Sequence, residues 1–230
     1  MKLALVGYGK MGKLVESLAP EFGFEVPLKL DIDNNVNGAG ITRKNFGGID
    51  VAIEFSTPST VVDNIERISA LGVNLVVGTT GWLEQLPRVR AAVERASTGL
   101  VHSPNFSIGV NVFLRIAAAT ARLLQSEPEY DAWAYEIHHK MKKDAPSGTL
   151  LKLRDVMRQA GYARPIDVAS NRAGAVPGTH EIGFDSEADT ITLTHTARSR
   201  AGFARGALKA AQWVKGKKGV HEFADVLFER

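Results

Sequence analysis

Lys2-Leu3-Ala4-Leu5-Val6-Gly7-Tyr8-Gly9-Lys10-Met11-Gly12 decides the fold. A short apolar run stops abruptly in a Gly-x-Gly-x-x-Gly turn, and Lys13 to Ala19 then reads as a helix until Pro20, so the order is strand, glycine-rich turn, helix. Glycines at those positions let the backbone turn tightly and approach a pyrophosphate. The helix start offers that anion free N–H groups and a favourable dipole. By itself the pattern also fits a tight strand-to-helix turn that binds nothing. Asp31, ending the next apolar run, supplies the carboxylate that accepts ribose hydroxyls at this spacing, and the pair of signals favours a dinucleotide site.

Further along the chain, Val26 to Asp31, Asp50 to Phe55, Val73 to Val77 and Gly99 to His102 read as strands, and Thr60 to Leu71 and Leu83 to Ala96 as helices. Strands alternating with helices imply a doubly wound, Rossmann-type parallel sheet with right-handed crossovers. Asp33 to Gly48 carries no periodicity and reads as a surface loop with little structure of its own. After Phe106 the texture changes. Phe113, Ile116, Ala117, Thr120, Leu123 and Leu124 recur at helical spacing. Trp133 to Ile137 reads as a strand and Leu150 to Ala160 as a helix, and Ile191 and Leu193 alternate with Thr190, Thr192 and Thr194. These features predict a second α+β domain with a mixed or antiparallel sheet, and a last helix from Gly202 to about Val214.

The chain has 230 residues, with 28 Lys plus Arg against 25 Asp plus Glu, a net charge of +3, and no cysteine. That length buries a core of one large domain or two modest ones. The absence of cysteine excludes a disulfide scaffold, thiolate zinc and a cysteine nucleophile, and it fits the reducing cytoplasm. The segment from Met1 shows no signal peptide. Arg115 and Arg122 interrupt the longest apolar stretch, so no membrane span is expected. Neither the small net charge nor the run Lys215 to Lys218 implies nucleic acid, and that run reads as a solvated helix end.

Gly78-Thr79-Thr80-Gly81 follows the fourth strand and Ser103-Pro104-Asn105-Phe106 the fifth, where ligands of doubly wound sheets bind; both stretches also fit ordinary turns. The densest constellation is Glu136-Ile137-His138-His139-Lys140-Met141-Lys142-Lys143-Asp144-Ala145-Pro146-Ser147-Gly148-Thr149. Two imidazoles, a lysine cluster and a Pro-Ser-Gly-Thr helix start make an anion site beside proton-transfer groups, with Ser147 as N-cap and Gly148 exposing backbone. Zinc held by the two histidines and Asp144 is the competing reading. It is set aside because lysines surround the site and no cysteine or paired carboxylate completes a ligand set. An exposed basic loop that does no chemistry is the bland alternative.

Taken together, the glycine-rich turn, Gly78 to Gly81, Pro104-Asn105-Phe106-Ser107 running into Gly109-Val110-Asn111, and Glu136 to Thr149 resemble the 4-hydroxy-tetrahydrodipicolinate reductase (dihydrodipicolinate reductase) family over nearly the whole chain. The resemblance implies reduction of a small dicarboxylate heterocycle, with loss of water, by NADH or NADPH in lysine and diaminopimelate biosynthesis. It implies His138 as proton donor and acceptor, Lys142 as proton donor, and His139, Gly148 and Thr149 as substrate contacts. The cofactor contacts it implies are Gly7, Tyr8, Gly9, Lys10, Met11, Gly12, Asp31, Gly78, Thr79, Thr80, Ser103, Pro104, Asn105 and Phe106. No metal is implied. Residues 1–106 with 201–230 become the dinucleotide-binding domain and 107–200 the substrate and oligomerisation domain, commonly in a homotetramer.

The carboxylate of Asp31 repels a 2'-phosphate, so NADH should serve at least as well as NADPH. Arg200 reads equally as a substrate-closing cation or as one side of an interdomain ion pair. An acylating dehydrogenase is excluded for want of a thiol. A catalytically silent NAD(P)-binding sensor on the same fold is the remaining alternative, against which stand His138 and Lys142.

Overall fold

The computed structural model describes residues 1–228 and divides into two compact units, Met1–Ile108 with the residues from Ala201 onward, and Gly109–Arg200. In the first unit, β1 (Lys2–Val6), β2 (Glu25–Leu30), β3 (Val51–Glu54), β4 (Asn74–Val77), β5 (Gly99–His102) and β10 (Gly219–Glu222) form one parallel sheet in the order β10-β5-β4-β3-β1-β2. The chain leaves β1 for β2 on one side and returns to β3 on the other. This reversal is the topological switch point, outside which ligands of such sheets bind.

The strands are apolar throughout because both faces are covered. Leu3, Leu5 and Ile53 pack towards α1 (Lys10–Leu18) and α6 (Ala201–Val214), while Ala4, Val6 and Ala52 pack towards α2 (Val61–Ala70) and α3 (Leu86–Ala96). A sixth strand, β10, was absent from the sequence reading. It is short and half-exposed, and it follows the lysine run Lys215 to Lys218, which lies just beyond α6. The stretch 33–48 is more ordered than its composition suggested. It contains a 3-10 turn, Val36–Gly38, and it buries Ile41 and Phe46 in the core under α2.

In the second unit, β6 (Asp131–His138), β7 (Ile166–Arg172), β8 (Thr179–Asp185) and β9 (Thr190–Thr196) form a mixed sheet in the order β7-β6-β8-β9, with β6 and β7 parallel and the other pairs antiparallel. Helices α4 (Ile108–Leu124) and α5 (Gly148–Gln159) share a core with this sheet through Phe113, Ala117, Leu150, Leu153 and Phe184. The buried stripe of α4 runs through Val110, Phe113, Ala117 and Ala121, whereas Ile116 and Leu123 stand exposed. The two alanines give this stripe a low profile suited to close packing. No helix among the described residues is long and apolar enough to cross a membrane.

Candidate functional site

Two regions carry the polar groups singled out by the sequence, one in each unit. In the first unit, Gly7 follows β1 with φ of +89°, and a Cβ there would stand 2.3 Å from the Phe55 carbonyl oxygen after β3. Only glycine lets the β1 and β3 ends approach so closely. Gly12 presses α1 against the turn, since its Cβ would lie 2.5 Å from the Gly7 oxygen. Gly9 is the N-cap of α1, no side chain caps it, and nothing lies within 4 Å of the space its Cβ would take. The first N–H groups of α1 thus lie behind a residue with no side chain in the way, a backbone arrangement that fits a pyrophosphate.

Around this turn, Tyr8 donates a short hydrogen bond to Glu16, which also pairs with Lys29 at 2.9 Å. Lys10 and Asp31 are exposed, and Met11 packs partly into the core. Asp31 lies just after β2 in a tight turn, its N–H donating to the Asn34 side chain at 2.7 Å.

The loops after β3 and β4 are joined by a carboxyl group that the sequence reading passed over. Glu54 ends β3 in register with Val6 and Val77 and is completely buried. Its oxygens accept from the Thr79 hydroxyl at 2.6 Å, the Asn64 amide at 3.3 Å, the Ser56 N–H at 3.2 Å and, in a short bond, the Ser56 hydroxyl. Burial pushes its pKa up, and these donors offset the rise only in part. Thr79 also accepts from Trp82 through its carbonyl at 2.8 Å, while Thr80 is exposed and Gly78 lies against the Phe55 ring. Ser103 closes its own turn by donating to the Asn105 carbonyl at 2.8 Å, Pro104 is exposed, and the Phe106 ring is committed to the core against Phe223.

In the second unit, strand parity builds the site. Ala132 and Ala134 point into the core, so Glu136 and His138, two and four residues on from Ala134, face the same way. Register brings the rest: Glu136 lies between Ser170 of β7 and His180 of β8, and His138 lies beside Arg172 of β7.

The Glu136 carboxylate is fully buried. One oxygen accepts from the Ser147 N–H at 2.8 Å, the Ser170 hydroxyl at 3.0 Å and Arg172 at 2.8 Å. The other accepts a short bond from the Ser147 hydroxyl and lies 3.3 Å from His180 Nε2 and 3.5 Å from His138 Nδ1. Burial alone would raise its pKa, but the Ser147, Arg172 and Ser170 donors outweigh that and hold it at about 2.

Ser147 caps α5 by accepting from the Leu150 N–H at 3.2 Å. Its hydroxyl donates to Glu136 and lies 3.2 Å from His180 Nε2, so with Nε2 protonated its one donor and two acceptor sites are filled. Burial, followed by the neighbouring His138, lowers the His180 pKa to about 4, and burial also lowers that of His138. The two rings meet edge to face at 5.0 Å.

Lys142 lies in the loop after β6 with its ammonium on both oxygens of Asp144, at 2.8 and 2.9 Å. His139 is half-buried and its carbonyl accepts from the Lys142 N–H at 3.0 Å. Arg172 also donates a short bond to the Asp144 carbonyl, tying this loop to β7. Gly148 has nothing within 4 Å of its missing Cβ, and Thr149 is half-buried in the first turn of α5. The structure thus brings His138, His139, Lys142, Gly148 and Thr149 into one region, while Arg200 ends the second unit exposed.

Glu136, His138 and His180 also place potential metal-ligand atoms within 4.8 Å of one another. The carboxylate, however, is already saturated by Ser147, Ser170 and Arg172, and a cation there would meet the Arg172 guanidinium. The donor set suits a fixed anion better than a metal ligand.

The family model for the N-terminal part of dihydrodipicolinate reductase matches residues 1–106, and that for its C-terminal part matches residues 109–227. A 4-hydroxy-tetrahydrodipicolinate reductase of Christiangramia forsetii is 35% identical to this chain over 99% of it and 98% of the relative. One from Myxococcus xanthus is 41% identical over 79% of this chain and 73% of the relative. Among solved structures, a dipicolinate-bound dihydrodipicolinate reductase from Paenisporosarcina shares the fold with a TM-score of 0.78 at 23% identity, covering 96% of this chain and 97% of the other.

Proposed function

This chain belongs to the dihydrodipicolinate reductase family, and we propose that it reduces 4-hydroxy-tetrahydrodipicolinate, with loss of water, to tetrahydrodipicolinate at the expense of NADH or NADPH, a step of lysine and diaminopimelate biosynthesis. The observation that carries the reading is the grouping of His138, Lys142 and the open first turn of α5 around one buried carboxylate.

Residues 1–106 with 201–230 hold the nucleotide and 107–200 the substrate. The turn from Gly7 through Tyr8, Gly9, Lys10 and Met11 to Gly12 would hold the pyrophosphate and Asp31 the ribose, with Gly78, Thr79, Thr80 and Ser103 to Phe106 along the loops at the strand ends. Bound there, the dihydronicotinamide supplies hydride to the substrate ring.

The chain's own groups do the rest. Two substrate carboxylates call for cations and N–H donors, which Lys142, His139 and the Gly148 and Thr149 amides provide. Asp144 holds the Lys142 ammonium in place until a substrate carboxylate competes for it. Hydride addition leaves negative charge on the neighbouring carbon and imine nitrogen, which the Lys142 cation stabilises. Because Nδ1 of His138 faces Glu136, Nε2 is the nitrogen left to deliver the proton that quenches this charge. Assembly as a homotetramer and residence in the cytoplasm complete the proposal, the latter supported by the absence of cysteine.

The test is oxidation of NADH and of NADPH, followed by nicotinamide absorbance, with purified protein and enzymatically generated substrate. Turnover with at least one cofactor is expected, and turnover with neither would overturn the assignment. Lys142→Ala should lower kcat/KM by roughly 100-fold, with losses in both turnover and substrate binding, because it removes charge from ground and transition states alike. Unchanged kinetics would remove Lys142 from the site.

A further inference from the structure

We infer that Glu136 is a positioning residue for this reaction, setting a fixed negative charge against the His138 ring on one side and anchoring the start of α5 on the other. The inference rests on the reading of His138 as proton donor and of Gly148 and Thr149 as substrate contacts. With no exposed surface, Glu136 acts only through its neighbours. One arm runs through Ser147, whose N–H and hydroxyl both donate to the carboxylate and whose next two residues open α5. The other arm is electrostatic. Nδ1 of His138 is buried with no hydrogen bond of its own, and the ionised carboxylate lies 3.5 Å away. A proton on Nδ1 therefore faces a fixed negative charge, and that charge favours the imidazolium from which Nε2 can release its proton.

The charged and titratable groups facing His138 are Glu136 on its own strand, Arg172 on β7, His180 on β8, and Lys142 and Asp144 in the following loop. Burial lowers the His138 pKa, Glu136 and Asp144 oppose that by favouring protonation, and Lys142 and Arg172 add to it. Removing Glu136 and removing Arg172 must then move His138 in opposite directions. A purely structural role for this pair would not produce that sign change.

The experiment follows the His138 imidazole by NMR through a pH titration of the full chain without substrate, together with the pH profile of kcat/KM. In Glu136→Gln the His138 titration and the alkaline limb of the profile should move down by about one pH unit, with a raised substrate KM and an unchanged cofactor KM. In Arg172→Gln both should move up. Ser147→Ala keeps the charges and should raise the substrate KM while leaving the His138 titration where it is. A folded Glu136→Gln protein whose His138 titrates as in the wild type overturns the proposal, as does movement of both variants in the same direction. If Glu136→Gln does not fold, Arg172→Gln decides alone: an upward move supports the proposal, and no move or a downward one ends it. A wild-type protein without turnover would refute the assigned reaction and leave the titration result standing. Turnover combined with an indifferent His138 would refute this proposal alone.

Discussion

Glu54 in the first unit and Glu136 in the second are built from similar parts. Each points from the C-terminal part of a strand, each is fully buried, and each accepts from serine or threonine hydroxyls and from a backbone N–H. They differ in the charge of their partners, since Arg172 donates to Glu136 with His180 and His138 close by, whereas the donors to Glu54 are all neutral. Burial raises the pKa of Glu54, whereas Glu136 is held at about 2. At Glu54 neutral hydrogen bonds offset only part of the cost of burial, whereas at Glu136 the Ser147 bonds, together with Arg172 and Ser170, outweigh it. Glu54 can join two loops in either protonation state. Glu136 is a permanent charge, which is what a neighbouring imidazole can sense.

The strongest way to break this contrast is to make both side chains amides. Glu136→Gln strands the Arg172 guanidinium in a half-buried site and should destabilise the protein on the order of 3 kcal/mol. Glu54→Gln keeps an acceptor for Ser56 and Asn64, gains a donor for Thr79, and should cost less than about 1 kcal/mol near neutral pH. Urea denaturation of both variants checks this, and equal losses would mean that Arg172 contributes nothing to the difference.

The sequence disclosed much of the fold and only part of this contrast. The turn from Gly7 to Gly12 was legible because glycine spacing and a change of period coincide within a dozen residues. His138 and Lys142 were legible because they are close in sequence. Ser170, Arg172 and His180 were not, because strand pairing alone brings them to Glu136 and His138 across more than thirty residues of chain. One local signal did exist: Glu136 continues the inward parity of Ala132 and Ala134, and an acid on a core-facing position needs partners. The same signal marks Glu54 at the end of the apolar run Val51 to Ile53. Strands β7 and β10 escaped notice because they expose much of their surface and so carry little apolar alternation.

A smaller effect sharpens the comparison within the second unit. Ser147→Ala removes the N-cap of α5 and one donor to Glu136, and should cost about 1–2 kcal/mol. Thr79→Val removes one donor to Glu54 and leaves a helix cap untouched, so its cost should be lower. Thermal unfolding of the two variants side by side reads the difference, and the reverse order would show that the Glu54 cluster is the more demanding of the two.

The most delicate test uses the sign of the pH dependence. Glu136 is ionised in the folded protein down to about pH 2, whereas its ordinary value is 4.5. Between those limits the unfolded chain holds the extra proton, so the contribution of Glu136 is present above pH 4.5 and is lost as pH falls. Glu54 behaves in the opposite sense. Its folded pKa lies above 4.5, so between pH 4.5 and that folded value the folded protein holds the extra proton, and its contribution is present below pH 4.5 and lost as pH rises through the folded value. Against the wild type, Glu54→Gln should therefore gain relative stability as pH rises from 4.5, at up to about 1.4 kcal/mol per pH unit until the folded carboxyl ionises. Glu136→Gln should recover relative stability as pH falls from 4.5 towards 2. Denaturant midpoints across both windows give the two slopes. A flat line for Glu54→Gln would place its carboxylate at an ordinary pKa, with desolvation balanced by neutral donors alone, and would narrow the contrast with Glu136 to the acid side.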